Sequence, residues 1–144
     1  MLIRKMTVED IPKLALLYKQ FWNEDSCVET MIKQFEKLQK SNTHILLSAV
    51  ENGELIGSVM GIICEDLYGK CEPFMVIENM IVDEKYRRKG VGRAVIQEIE
   101  KQAMDLNCTL IILVTETNRD DACSFYASLG YDPDTHKGFK KKLK

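Results

Sequence analysis

Apolar positions recur every three or four residues at Val8, Ile11, Leu14, Tyr18 and Phe21, and again at Val28, Met31, Ile32, Phe35 and Leu38. Both runs predict amphipathic helices burying one face, joined by residues 22–25 and preceded by a short strand over residues 2–6. Thr7 and Asp10 are both candidate caps for the first helix, and Pro12 suits its first turn. Ser26, with Glu29 three positions on, has the form of a capping box for the second. The period then changes. Residues 44–51 and 54–64 are β-compatible and flank Asn52-Gly53, a pair that accepts the positive φ of a tight turn, so an antiparallel hairpin is expected.

Residues 74–82 predict a further strand, opened by Pro73 and covered on both faces, because positions 74–77 are continuously apolar. Val91, Val95, Ile99, Ala103 and Leu106 mark a third helix, and residues 109–115 (Thr-Leu-Ile-Ile-Leu-Val-Thr) a buried strand. A parallel strand reached through a helix implies a right-handed β-α-β crossover. A fourth helix is expected from Asn118, as its cap, to Leu129, with Gly130 ending it. Residues 131–143 predict a last extended segment with a turn at Asp132-Pro133-Asp134. No repeat or linker divides the 144 residues, and one domain over 1–144 is expected.

Composition narrows the chemistry without choosing it. Twenty basic against twenty-two acidic residues leave a formal charge of -2, so no global field draws in nucleic acid or an anionic membrane. Any anion site must be local. Cys27, Cys64, Cys71, Cys108 and Cys123 form no Cys-x-x-Cys pair, which predicts reduced thiols and no metal site. Residues 1–7 lack the apolar core of a signal peptide, and no apolar run approaches the roughly 18 residues of a membrane span. A cytoplasmic protein is expected.

Such a local site stands between the strand ending at residue 82 and the third helix. Lys85, Arg87, Arg88, Lys89 and Arg93 place five cations around Gly90 and Gly92. A helix N-terminus carries about half a positive charge, so each neighbouring cation costs typically about 0.3–1 kcal/mol there at low salt. The conflict disappears if a phosphate occupies the position, met by unpaired helix N–H groups and by the side chains together. A solvated turn with exposed Arg and Lys is the plainer alternative. A Walker loop requires Ser or Thr after Gly-Lys, and Gly92-Arg93-Ala94 does not supply it. A Rossmann fingerprint wants glycine where Val95 stands.

At this point the chain resembles the GNAT superfamily of coenzyme-A-dependent N-acetyltransferases. Arg87-x-x-Gly90-x-Gly92 meets that family's Arg/Gln-x-x-Gly-x-Gly/Ala signature. The stretch Ile77-Glu-Asn-Met-Ile-Val-Asp83 is similar to its cofactor-facing strand, and to strands of amino-sugar-phosphate acetyltransferases. Asn118, Ala122, Phe125-Tyr126 and Gly130-Tyr131 resemble its second signature. The resemblance implies an α/β (α+β) fold with a mixed six- to seven-stranded sheet and four helices, splayed between the fourth and fifth strands. It implies acetyl-CoA as co-substrate, with the backbone of Met80-Ile81-Val82 against the pantetheine arm and Asn118 and Tyr126 reaching it from the fourth helix. The pyrophosphate would be held along Arg87, Arg88, Lys89, Gly90, Val91, Gly92 and Arg93.

For the chemistry, the resemblance makes the Met80 amide the donor to the oxyanion and Tyr126 the acid that protonates the departing thiolate. That transfer runs uphill by about 2 kcal/mol on ordinary tyrosine and thiol values. Tyr126 also reads as a core aromatic. Releasing the lone pair of a protonated amine costs about 4–5 kcal/mol at neutral pH, and Glu78 is the candidate base, its strand alternation sharing a face with Met80 and Val82. A structural carboxylate is the alternative for Glu78, and Val76 occupies another point where relatives carry one. Cys123 reads as packing, since neither His44 nor His136 is placed to activate it.

The acceptor would be an amine of a small molecule or peptide, entering past Phe21, Trp22, Glu24, Asp25, Glu65, Asp66 and Glu72, residues that serve a wet surface equally well. No nucleic acid, membrane or metal partner is expected, and a homodimer is left open. Two rivals stand beside the enzyme: a non-catalytic acyl-CoA sensor, and a nucleic-acid binder using the basic run.

Overall fold

The sheet grows outward from the Asn52-Gly53 turn, whose residues take φ of 52° and 81°, the pair of positive values a two-residue hairpin requires. The computed structural model describes residues 1–144. Strands β1 (Leu2–Lys5), β2 (His44–Glu51), β3 (Glu54–Cys64), β4 (Phe74–Val82) and β5 (Ile111–Leu113) lie side by side in that order. The first three pairings are antiparallel. At the start of β4, Thr109 N–H donates to the Pro73 carbonyl (2.8 Å) and Met75 N–H to that of Leu110 (3.0 Å), so the fifth strand is approached in the same direction as β4 and the sheet is mixed. The helices are α1 (Ile11–Trp22), α2 (Val28–Leu38), α3 (Val91–Asp105) and α4 (Asp120–Ala127).

The residues fall into two compact units, Met1–Ile112 and Leu113–Lys144. In the first, α1 and α2 supply Ile11, Leu14, Leu17 and Phe35 to a buried cluster with Met6, Leu55 and Ile81, while α3 buries Val91, Val95, Ile96, Ile99 and Ala103. Two glycines set how closely α3 can lie. A Cβ at Gly57 would stand 3.2 Å from Val91 Cγ1 and 3.1 Å from the Ile81 carbonyl, and one at Gly61 would meet Ile99 Cδ1 and Met75 Sδ, each at 3.0 Å.

Several expectations change. The sheet has five strands rather than six or seven: the predicted strand over 109–115 contracts to Ile111–Leu113, and residues 131–143 form no strand. Phe139 and Leu143, set among lysines, are exposed and offer no alternating apolar face to fix a register. Ser26 does not cap α2. Cys27 holds the cap position, and its sulfur accepts from the Thr30 hydroxyl at 3.3 Å. Residues 8–10 form a 3-10 turn ahead of α1, stapled where Thr7 N–H donates to Asp10 Oδ2 at 3.0 Å. No helix is long and apolar enough to cross a membrane.

Candidate active site

β4 carries the first feature of the site. Ser58 pairs with Ile81 and Met60 with Glu78, so two residues of β4, Asn79 and Met80, stand opposite the single Val59. This is a β-bulge, with Asn79 at φ 50°. The extra residue reverses the facing of the strand beyond it. Glu78, opposite Met60, therefore shares its face with Ile81, on the α1 and α2 side, whereas Val82, opposite Gly57, faces α3. The expected common face for Glu78, Met80 and Val82 is thus corrected, because strict alternation does not survive the bulge. Glu78 is also exposed and makes no ion pair, so the penalty of an enclosed carboxylate does not arise there.

Asp83 N–H donates to the Ile56 carbonyl at 2.9 Å, which turns the backbone groups of Ile81 and Asp83 toward β3 and those of Val82 to the opposite edge. Met80 and Val82 are half-buried, while the Ile81 side chain is enclosed in the core at 4% exposure. The Val82 carbonyl accepts from Arg87 Nε at 3.2 Å, folding the start of the cationic turn back on the strand end.

The turn is built step by step. Asp83 caps a 3-10 turn over Glu84–Tyr86 by accepting from Lys85 N–H at 3.0 Å. Arg88 takes φ 59° and Gly90 φ 84°, and α3 begins at Val91. Space does not demand glycine at 90, since a Cβ there would meet nothing within 4 Å; the positive φ does. Gly90 offers no side-chain cap, and the first backbone bond it accepts comes from Ala94 N–H at 3.0 Å. The N–H groups of Val91 and Gly92 thus have no partner inside the helix. Arg87, Arg88, Lys89 and Arg93 are exposed around this end, with Lys89 Nζ 5.3 Å from the Tyr86 ring centre. The Val91 side chain, 3% exposed, anchors the helix start in the core.

The second unit holds the other expected site residues. Asn118 is exposed in a turn closed by Arg119 N–H on the Glu116 carbonyl (3.1 Å), and the cap position of α4 belongs to Arg119 rather than Asn118. Asp120 and Asp121 in the first turn suit the helix dipole. At the other end, Gly130 N–H bonds to Ala127 O and Tyr131 N–H to Tyr126 O, with Gly130 at φ 93°; this Schellman arrangement is the expected glycine stop. Tyr126 packs edge-on against Phe125 (5.1 Å) and Tyr131 (5.9 Å). Burial raises its phenol above the ordinary value, and Arg119 offsets this only in part. Thr115 Oγ1 is enclosed without a hydrogen bond, a polar feature the strand pattern did not single out.

Of the expected acceptor-side residues, Phe21 and Trp22 pack edge to face at 4.7 Å, with Trp22 half exposed. Two of the carboxylates have local duties: Asp25 pairs with Lys19 at 2.7 Å, and Asp66 Oδ1 accepts from the N–H groups of Leu67 and Tyr68. Sequence reasoning passed over Asp83, Lys13 and Gln20. The Asp83 carboxylate lies 3.5 Å from Lys13 Nζ, and Gln20 Oε1 accepts from Glu84 N–H at 3.2 Å. No spacing within a motif signals a pairing across such separations.

Comparison with known proteins agrees in fold and in sequence. A chain from Agrobacterium tumefaciens provisionally named as an acetyltransferase superposes with a TM-score of 0.92 at 24% identity, covering 99% of this chain and 100% of that one. Glucosamine-6-phosphate N-acetyltransferase from Arabidopsis thaliana superposes with a TM-score of 0.85 at 20% identity, covering 99% of this chain and 98% of that one. N-alpha-acetyltransferase 30 of Xenopus laevis is 30% identical over 84 residues, 58% of this chain and 30% of that protein. The chain spans about half or less of the length of the curated relatives it matches. The model of the acetyltransferase (GNAT) family matches residues 11–131, most of the sequence and all of the bulged strand, the cationic turn and α4, and the chain belongs to that family.

Proposed function

We propose that the protein is a cytoplasmic, single-domain N-acetyltransferase that uses acetyl-CoA to acetylate a primary amine of a small molecule or peptide. The observation that carries the reading is the uncapped start of α3. The Val91 and Gly92 N–H groups, the open space beside Gly90 and the exposed Arg87, Arg88 and Lys89 together form a cradle suited to an anion. A diphosphate fits this donor set, and the family match supports CoA as its bearer. Asn118 and the outward backbone edge at Met80 and Val82 are assigned to the pantetheine arm.

Bound acetyl-CoA supplies an activated thioester. The Met80 N–H, at the bulge, is assigned as the donor for negative charge developing on the acetyl oxygen. Tyr126 is assigned to protonate the departing thiolate; the burial that raises its phenol adds to the uphill cost of that transfer, which hydrogen bonding to the thiolate must offset. Glu78 is assigned to deprotonation of the amine, with solvent access consistent with a water relay. The acceptors named for relatives, such as glucosamine-6-phosphate, indicate the kind of amine to try.

Calorimetry with CoA, and thiol release from acetyl-CoA against amino sugars, aminoglycosides, polyamines, amino acids and peptide N-termini, test the proposal. Binding is expected to be lost on charge reversal at residues 87–89, and kcat to fall about a hundredfold or more in Tyr126→Phe. Binding without turnover for any amine would favour the sensor reading. No binding of CoA, with salt-dependent binding of DNA, would favour the nucleic-acid reading.

A further inference from the structure

Asp83 lies where β4 gives way to the cationic turn, and it is 3% exposed. Each of its polar groups is engaged. Its N–H donates to Ile56 O (2.9 Å), its carbonyl accepts from Tyr86 N–H (2.8 Å), Oδ1 accepts from Lys85 N–H (3.0 Å), and Oδ2 faces Lys13 Nζ at 3.5 Å. One residue on, Glu84 N–H is held by Gln20 Oε1 at 3.2 Å. Lys13 and Gln20 are two turns apart on α1, so a single helix face grips the turn at two points. A buried negative charge beside an anion cradle would oppose phosphate binding unless neutralised, and Lys13 neutralises it. What remains is its geometric effect on the turn.

We propose that Asp83 is a positioning residue: its carboxylate fixes the 84–86 turn and, through Lys13, fastens it to α1, so that Arg87 to Gly90 are held ready for the diphosphate. The inference rests on the CoA reading of the cradle. It makes cofactor affinity depend on α1, an element with no part in the glycine signature.

The test uses the full chain. Asp83→Asn keeps an oxygen for Lys85 N–H and loses the ion pair; Asp83→Ala loses both; Lys13→Met removes the partner from the partly exposed side and leaves the buried carboxylate uncompensated, so each variant is first checked for a cooperative thermal transition. The Kd for CoA by calorimetry and the KM for acetyl-CoA should rise together, about three- to tenfold in Lys13→Met and Asp83→Asn and more in Asp83→Ala. With the best acceptor at saturating acetyl-CoA, kcat should stay within about twofold, and Lys13→Met/Asp83→Asn should bind CoA no worse than the weaker single variant. Folded Lys13→Met with wild-type affinity for CoA, or strictly additive losses in the double variant, would overturn this inference alone. A wild-type protein that binds no CoA would overturn the cradle reading and this inference with it.

Discussion

Asp10 is enclosed ahead of α1, where burial pushes its carboxyl up and three donors pull it down by more. The Arg4 guanidinium grips both oxygens at 2.7 and 2.8 Å, Thr7 N–H adds a bond of 3.0 Å, and the Ser48 hydroxyl one of 2.8 Å. The folded pKa is below the unfolded one. The stability this group contributes is therefore complete above the unfolded value, near about 4, and is lost as pH falls through the lower folded value. Asp10→Asn is expected to cost about 1–3 kcal/mol at neutral pH and to flatten the fall of stability below about pH 4, read from urea unfolding across pH. An unchanged acid limb would refute the assignment. Half of this network was legible: Thr7 and Asp10 stood out as cap candidates, whereas Ser48, on a strand 38 positions away, leaves no trace in local pattern. Glu78 shows the opposite failure. Its neighbours suggested an enclosed carboxylate, yet it is exposed, and the bulge one residue on breaks the common face with Met80 and Val82 that alternation predicts.

Elements were legible wherever turn chemistry and periodicity agreed. β2, β3 and β4 have the bounds read from the Asn52-Gly53 turn and the apolar runs, because a two-residue loop fixes register and both sheet faces are covered. Closeness of packing was not legible, since it depends on which strand residues lie beneath α3. Gly57 and Gly61 share that face, yet their surroundings differ in kind. A Cβ at Gly57 meets the Ile81 backbone carbonyl, which is held in the ladder, whereas at Gly61 it meets the ends of Ile99 and Met75, which can rotate away. Gly57→Ala is therefore expected to cost about 1–3 kcal/mol and to weaken CoA binding by displacing the start of α3 at Val91. Gly61→Ala should cost less and leave CoA binding alone. Equal thermal shifts for the two variants, with equal affinity for CoA, would show that the helix is not seated by its contact at Gly57.

At the scale of the whole molecule, a formal charge of -2 coexists with two dense cationic segments, the turn and the lysines of residues 137–144, so the attraction for an anion is local and only the turn adds helix N–H groups to it. The exposed side chains of Arg87, Arg88 and Lys89 are open to screening, since the Debye length shrinks from about 10 Å at 0.1 M salt to about 3 Å at 1 M. The backbone N–H groups at the start of α3 act only at contact distance and feel salt much less. The two contributions can therefore be separated. CoA at about a hundred times its Kd should stabilise the protein by about 2.7 kcal/mol, raising Tm by several degrees. Raising salt tenfold should weaken CoA binding several-fold, leaving the rest to the helix start, and neutralising residues 87–89 to Gln should abolish most of the salt dependence together with most of the affinity. Binding that ignores salt would assign the diphosphate to the backbone alone and reduce the arginines to steering. Binding lost entirely at high salt would mean that the uncapped helix contributes nothing, and that the positive φ of Gly90 serves the turn and not the ligand.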